Sequence, residues 1–82
     1  MSFDLESDVD FAERRLQRLE HRFRRAQNAL AGARAVYGAL RESPSAKAHQ
    51  LHHALLQVQQ AQRHLIDLQT SIEFAEDQQA IA

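Results

Sequence analysis

His49 and His53 stand four residues apart in the second half of the chain. On a helix that spacing sets both imidazoles on one face, where a transition metal can bridge them. A metal site needs more donors than these two. There is no cysteine, His52 turns to another face, His64 lies eleven residues beyond His53, and no carboxylate is spaced to complete the shell. The histidines therefore read as surface polar positions, and neither a metal nor another cofactor is expected. Catalysis finds no better footing. There is no glycine-rich loop, and no nucleophile has a base at usable spacing, so the chain is not expected to be an enzyme.

The second group with chemical potential is "ERRLQRLEHRFRR", residues 13–25, which holds six arginines. Arg14, Arg18, Arg22 and Arg25 fall on one line of a helix, and such a line can follow phosphates. Against a nucleic-acid role, the stretch has no lysine, and its phenylalanine, Phe23, belongs to the seam and not to the arginine line where it could stack on bases. Acidic segments also flank it: residues 1–13 carry five acids and no base, and residues 66–82 carry four acids and no base. Segregation of this kind usually reports pairing within the fold or with a partner. A small RNA- or DNA-binding regulator is kept as an alternative to the preferred reading of a solvated, pairing face.

The elements that hold these residues follow from one spacing. Leu5, Val9, Ala12, Leu16, Leu19, Phe23, Ala26, Leu30, Ala33, Tyr37 and Leu40 alternate at intervals of four and three. Leu51, Ala54, Val58, Ala61, Leu65, Leu68, Ile72 and Ala75 repeat the pattern. Sustained three–four spacing is the seam of a coiled coil or bundle. The single proline, Pro44 in "RESPSAK", separates the two runs, with Ser43 or Ser45 expected to cap the second helix. The sequence predicts an all-α fold, an antiparallel two-helix hairpin, coiled-coil-like and completed to a bundle by self-association or a partner. Helix 1 is expected over about 8–41, the turn over 42–46 and helix 2 over 47–78, with 1–7 and 79–82 frayed. Setting Leu40 opposite Leu51 lets large residues face small ones along most of the seam, as close packing wants. The same register predicts that Arg14 meets Asp77, Arg15 meets Glu76, Arg18 meets Glu73 and Arg24 meets Asp67.

Bulk properties set the remaining bounds. Eighty-two residues make one domain, and a chain this short buries a small core. The lack of cysteine removes disulfides as a support and suits a reducing compartment. No run is long enough to span a membrane, and the start, "MSFDLESDVD", is acidic where a signal peptide would be basic. A soluble, cytoplasmic protein is expected.

What the hairpin cannot cover points to function. "ALAGARAVYGAL", residues 29–40, is nearly all small or apolar, on the seam and off it. Ala29 and Val36 widen the seam on one side, and Gly32 and Gly38 lie away from it. Glycine inside a helix costs about 1 kcal/mol relative to alanine, and close approach of another helix would offset that. On helix 2, Leu55 and Ile66 broaden the seam while Leu56 and Phe74 project away from it. Two helices cannot bury apolar residues on so many sides, so a protein-interaction module is expected. Its contact is placed on Leu30, Ala33, Val36, Tyr37, Leu51, Leu55 and Val58. The partner is either another protein or a second copy forming a homodimeric four-helix bundle with a structural or regulatory role.

The stretch "FRRAQNALAGARAVYGALRESPSAKAHQLHHALLQVQQAQRHLIDL", about residues 23–68, resembles the small co-chaperones of bacterial type III secretion needle subunits. The likeness lies in an alanine- and arginine-rich first helix, a short proline-containing turn and a glutamine-rich second helix with leucine spacing. The longer acidic N-terminal extension departs from the more compact members. The resemblance implies a cytosolic chaperone or assembly adaptor that docks on a helical-repeat chaperone and keeps a needle subunit monomeric before export. It supplies no catalytic or ligand residues.

Overall fold

A computed structural model describes the backbone of residues 3–81 and the side chains of residues 10–78. Two helices, α1 (Phe3–Glu42) and α2 (Ala48–Ile81), pack against each other and account for every described element. At a rise of about 1.5 Å per residue they are roughly 60 and 50 Å long. The molecule is accordingly a rod, 68 × 15 × 14 Å. The expected all-α hairpin is the observed fold.

Both helices run further than the expected 8–41 and 47–78. Residues 3–7 and 79–81 are included in the helices, while Met1, Ser2 and Ala82 lie outside the described residues. No proline or glycine interrupts either end.

The connection also differs in its cap. Neither Ser43 nor Ser45 caps α2; their hydroxyls bond each other at 3.1 Å. Lys47 takes the cap position instead, its N–H donating to Gln50 Oε1 at 2.9 Å while its carbonyl accepts from the N–H of Leu51 at 3.1 Å. Gln50, three residues in, supplies the reciprocal half of a capping box. Pro44 sits in the turn before the cap rather than at the first helical position.

The seam is occupied as its spacing requires. From Ala12 to Leu40 and from Leu51 to Ala75, each three–four position is buried or half-buried, and the helical positions between them are exposed. A straight helix drifts about 20° per seven residues away from such a pattern, so the helices must wind around each other to keep it. The side chains of Leu5 and Val9 lie outside the described set. The core is one layer thick. Ala26, Leu30, Ala54 and Leu68 are its buried members, and among the described residues none is completely enclosed. Thr70 and Ser71 turn their hydroxyls back onto the carbonyls of Ile66 and Asp67, which keeps them satisfied without reaching the seam.

Candidate functional site

The seven residues expected to meet a partner divide into three sets. Leu30, Ala33, Tyr37, Leu51 and Val58 belong to the seam; Leu30 is buried against the opposite helix and the other four are half-buried. Leu30 in particular is 6% exposed, so α2 already uses it. Val36 and Leu55, at 57% and 36% exposure, remain available, but they stand on opposite flanks.

The flanks can be assigned because one open groove, about 480 Å³, fixes which of them share a side. Its floor is Ala33, Leu40 and Ala54, and its walls are Gly32 and Val36 from α1 with Gln50, His53 and Gln57 from α2. In an antiparallel pair, residues just before the first seam position of each heptad face their counterparts on one flank, and residues just after the second face theirs on the other. Following the groove flank away from the turn leads along α1 to Arg25, Arg22, Arg18 and Arg15, and along α2 to His64, Asp67 and Phe74. The back flank carries Asp10, Glu13, Glu20 and Arg24, then Arg34 and Arg41 nearer the turn, with Leu55, Ile66, Glu73 and Glu76 from α2.

The rod therefore has two broad faces of opposite charge at the end remote from the turn. On the groove face four arginines stand against Asp67 among the described residues; on the back face five carboxylates stand against Arg24. This arrangement overturns the four ion pairs expected from the register. Arg15 and Arg18 are at the right height along the rod for Glu76 and Glu73 but on the opposite flank. Arg24 and Asp67 are likewise divided by the seam, and Arg14 and Asp77 lie on opposite outer edges. None of the side-chain hydrogen bonds of the described residues engages an arginine or a carboxylate. The register gives axial position; the heptad position decides the side, and the two must agree before a pair can close.

Of the arginines singled out for phosphates, Arg18, Arg22 and Arg25 share the groove face, while Arg14 is on the outer edge and Arg15 takes its place. Two aromatic residues missed as neighbours of this line, Phe11 and Phe74, are 62% and 58% exposed on the same face. Their heptad positions, matched to those of Arg18 and Arg25, were the available signal. His49 stands on the outer edge and His53 on the groove wall, and the described residues contain no group of three or more potential metal donors.

Both glycines open outward. A Cβ at Gly32 or at Gly38 would meet nothing within 4 Å. The hairpin itself thus makes no use of their small size. On the back face, the Arg41 guanidinium lies 5.7 Å from the centre of the Tyr37 ring, a cation–π distance that holds this arginine close to the seam.

Chemically, the site is a groove between charged fields. Its parts are an apolar floor, amide and imidazole rims, an arginine field beside it and an acidic field behind. No described helix is long and apolar enough to cross a membrane. Compared with protein-family models, curated proteins and solved structures, the chain matches none.

Proposed function

We propose that this chain works by binding another protein, with no chemistry of its own. The observation that supports this most is the mismatch between its core and its surface. The core is a single layer, yet Val36, Leu55, Leu56, Ile66 and Phe74 remain exposed, and two helical glycines face open space. Isolated exposed apolar residues are ordinary; this many beside a one-layer core favour a covering partner.

The groove beside Val36 is the proposed contact. A partner helix laid along it would set apolar side chains against Ala33, Leu40 and Ala54, with Gln50 and Gln57 able to hydrogen-bond its polar flank. Acidic residues further along that helix would meet Arg15, Arg18, Arg22 and Arg25. In its most specific form the reading is a cytoplasmic co-chaperone or assembly adaptor of the type III secretion needle kind, docked on a helical-repeat chaperone.

The test is capture with immobilised wild-type chain and with Val36→Asp, followed by identification of what is retained. Val36 is exposed, so the substitution should leave the hairpin's circular dichroism unchanged. A protein held by the wild type and lost with Val36→Asp supports the reading, and a helical-repeat chaperone with its needle subunit supports the specific form. Equal retention by both chains, or retention of nothing, defeats it.

Arg15, Arg18, Arg22 and Arg25 with Phe11 and Phe74 on one face favour a second reading, in which that face binds single-stranded nucleic acid by phosphate contact and stacking. Affinity for a mixed-sequence oligonucleotide that falls steeply with salt, and is lost with Arg18→Glu plus Arg22→Glu, is its signature.

A further inference from the structure

The back face carries a charge pattern that complements itself under a two-fold rotation. Ile66 stands near its middle, 57% exposed, at the height of residue 25 on α1. At about 1.5 Å per residue, Glu20 and Glu13 of α1 lie roughly 8 and 18 Å from the height of Ile66 towards one end of the rod, and Arg34 of the same helix lies roughly 14 Å towards the other, between their mirrored heights. Arg41, roughly 24 Å out, is matched in the same way by Asp10, roughly 23 Å out on the acidic side. A second copy turned end for end about Ile66 keeps α1 against the partner's α1, so Arg34 and Arg41 come over its carboxylates, twice over by symmetry, while Arg24 lies beside its counterpart near the axis. The groove face has no such property, because rotating it onto itself sets arginines against Val36 and Gly32.

From this pattern we propose that the chain forms an isologous dimer through its back face, two hairpins packed antiparallel with Ile66 on the two-fold axis. The proposal rests on the reading of the chain as an interaction module and names one occupant for the face that the groove leaves free. Its area is adequate. The described part of the rod spans about 47 Å and two helix diameters, giving a face on the order of 900 Å², against about 800 Å² per partner in a stable complex. The chain exposes 6814 Å², whereas a compact monomer of 9.4 kDa would expose about 5,000 Å². Gly38 and Ala31 on this face allow close approach, and the open space at Gly38 is where the second copy would come.

In the dimer both groove faces point outward. One assembly would then present two grooves and two arginine fields to other proteins, so binding of a partner and self-association need not compete.

The test is molar mass in solution by light scattering after size exclusion, over a dilution series, with circular dichroism on the same fractions. The wild type should be dimeric. Ile66→Glu should weaken association on the order of 100-fold while keeping the helical signal, because Ile66 is not part of the hairpin's seam and the change occurs twice at the axis. Arg34→Glu alone and Glu13→Arg with Glu20→Arg alone should each be monomeric, since each sets like charges against each other. Mixed together, they should form a one-to-one dimer. A monomeric wild type, or an Ile66→Glu chain as dimeric as the wild type, overturns the proposal. Charge variants that dimerise alone as tightly as the wild type overturn its antiparallel arrangement. Val36→Asp should remain dimeric, so loss of a foreign partner through the groove is read separately from loss of the dimer.

Discussion

Replacing Gly32 by alanine should make the hairpin more stable, and the gain can be worked from the structure. Gly32 lies within α1, ten residues from its end at Glu42. Its φ is ordinary for a helix, and an added Cβ would meet nothing within 4 Å. The change therefore carries only the difference in helix propensity, about 0.8–1.0 kcal/mol in favour of alanine. For a domain of this size that raises the melting temperature by roughly 4–8 °C. Gly38→Ala should add a similar amount, because the two positions are about 9 Å apart along the helix and share no contact. The assay is thermal and urea unfolding followed by circular dichroism at several protein concentrations. For Gly32 the gain should be the same at every concentration, since it lies on the groove face. For Gly38 the gain should shrink as concentration rises, because the second copy would approach at that point. A loss of stability with Gly32→Ala at low concentration would refute the reasoning, showing that the space beside it is filled within the hairpin.

Other expectations follow from burial and capping. Leu30→Ala and Leu68→Ala, at 6% and 8% exposure, should each destabilise by about 2–4 kcal/mol in urea unfolding, toward the lower part of the usual range because a one-layer core collapses easily. Val36→Ala, exposed, should change stability by less than about 0.5 kcal/mol in the same assay. Gln50→Ala should cost on the order of 1 kcal/mol by removing the acceptor for the Lys47 N–H, and faster amide exchange at Lys47 would locate the loss. Arg18→Glu with Arg22→Glu should leave the melting temperature within a few degrees of wild type, since neither side chain has a hydrogen-bonded partner among the described residues.

The fold was legible because its information is periodic. Leu16, Leu19, Phe23, Ala26, Leu30 and the rest of the three–four series need no knowledge of their neighbours to declare a seam, and one proline between two such runs leaves few topologies. Burial then follows position by position. The cap was less legible. Ser43 and Ser45 have the right chemistry, but the turn brings their hydroxyls to each other and hands the cap to Lys47 and Gln50. Propensity ranks candidates for a cap; the path of the chain through five residues chooses among them.

The candidate surfaces were half legible, for a physical reason. Sequence alone determined which residues are apolar, which are charged and how far each lies along the rod. It also determined that Leu30 and Val36 both belong to an apolar run. Only tertiary structure decided that Leu30 is consumed by α2 while Val36 is left on a groove, and that Leu55 faces the other way. The arginines show the same division. Their height along the rod came from counting residues, and counting alone suggested partners in Glu73 and Glu76. Packing placed the two sets on opposite faces, because an antiparallel pair brings like flanks together and a seam of side chains separates the rest. Distance along a helix is written in the sequence, but the side on which two charges meet depends on how the second helix is laid against the first.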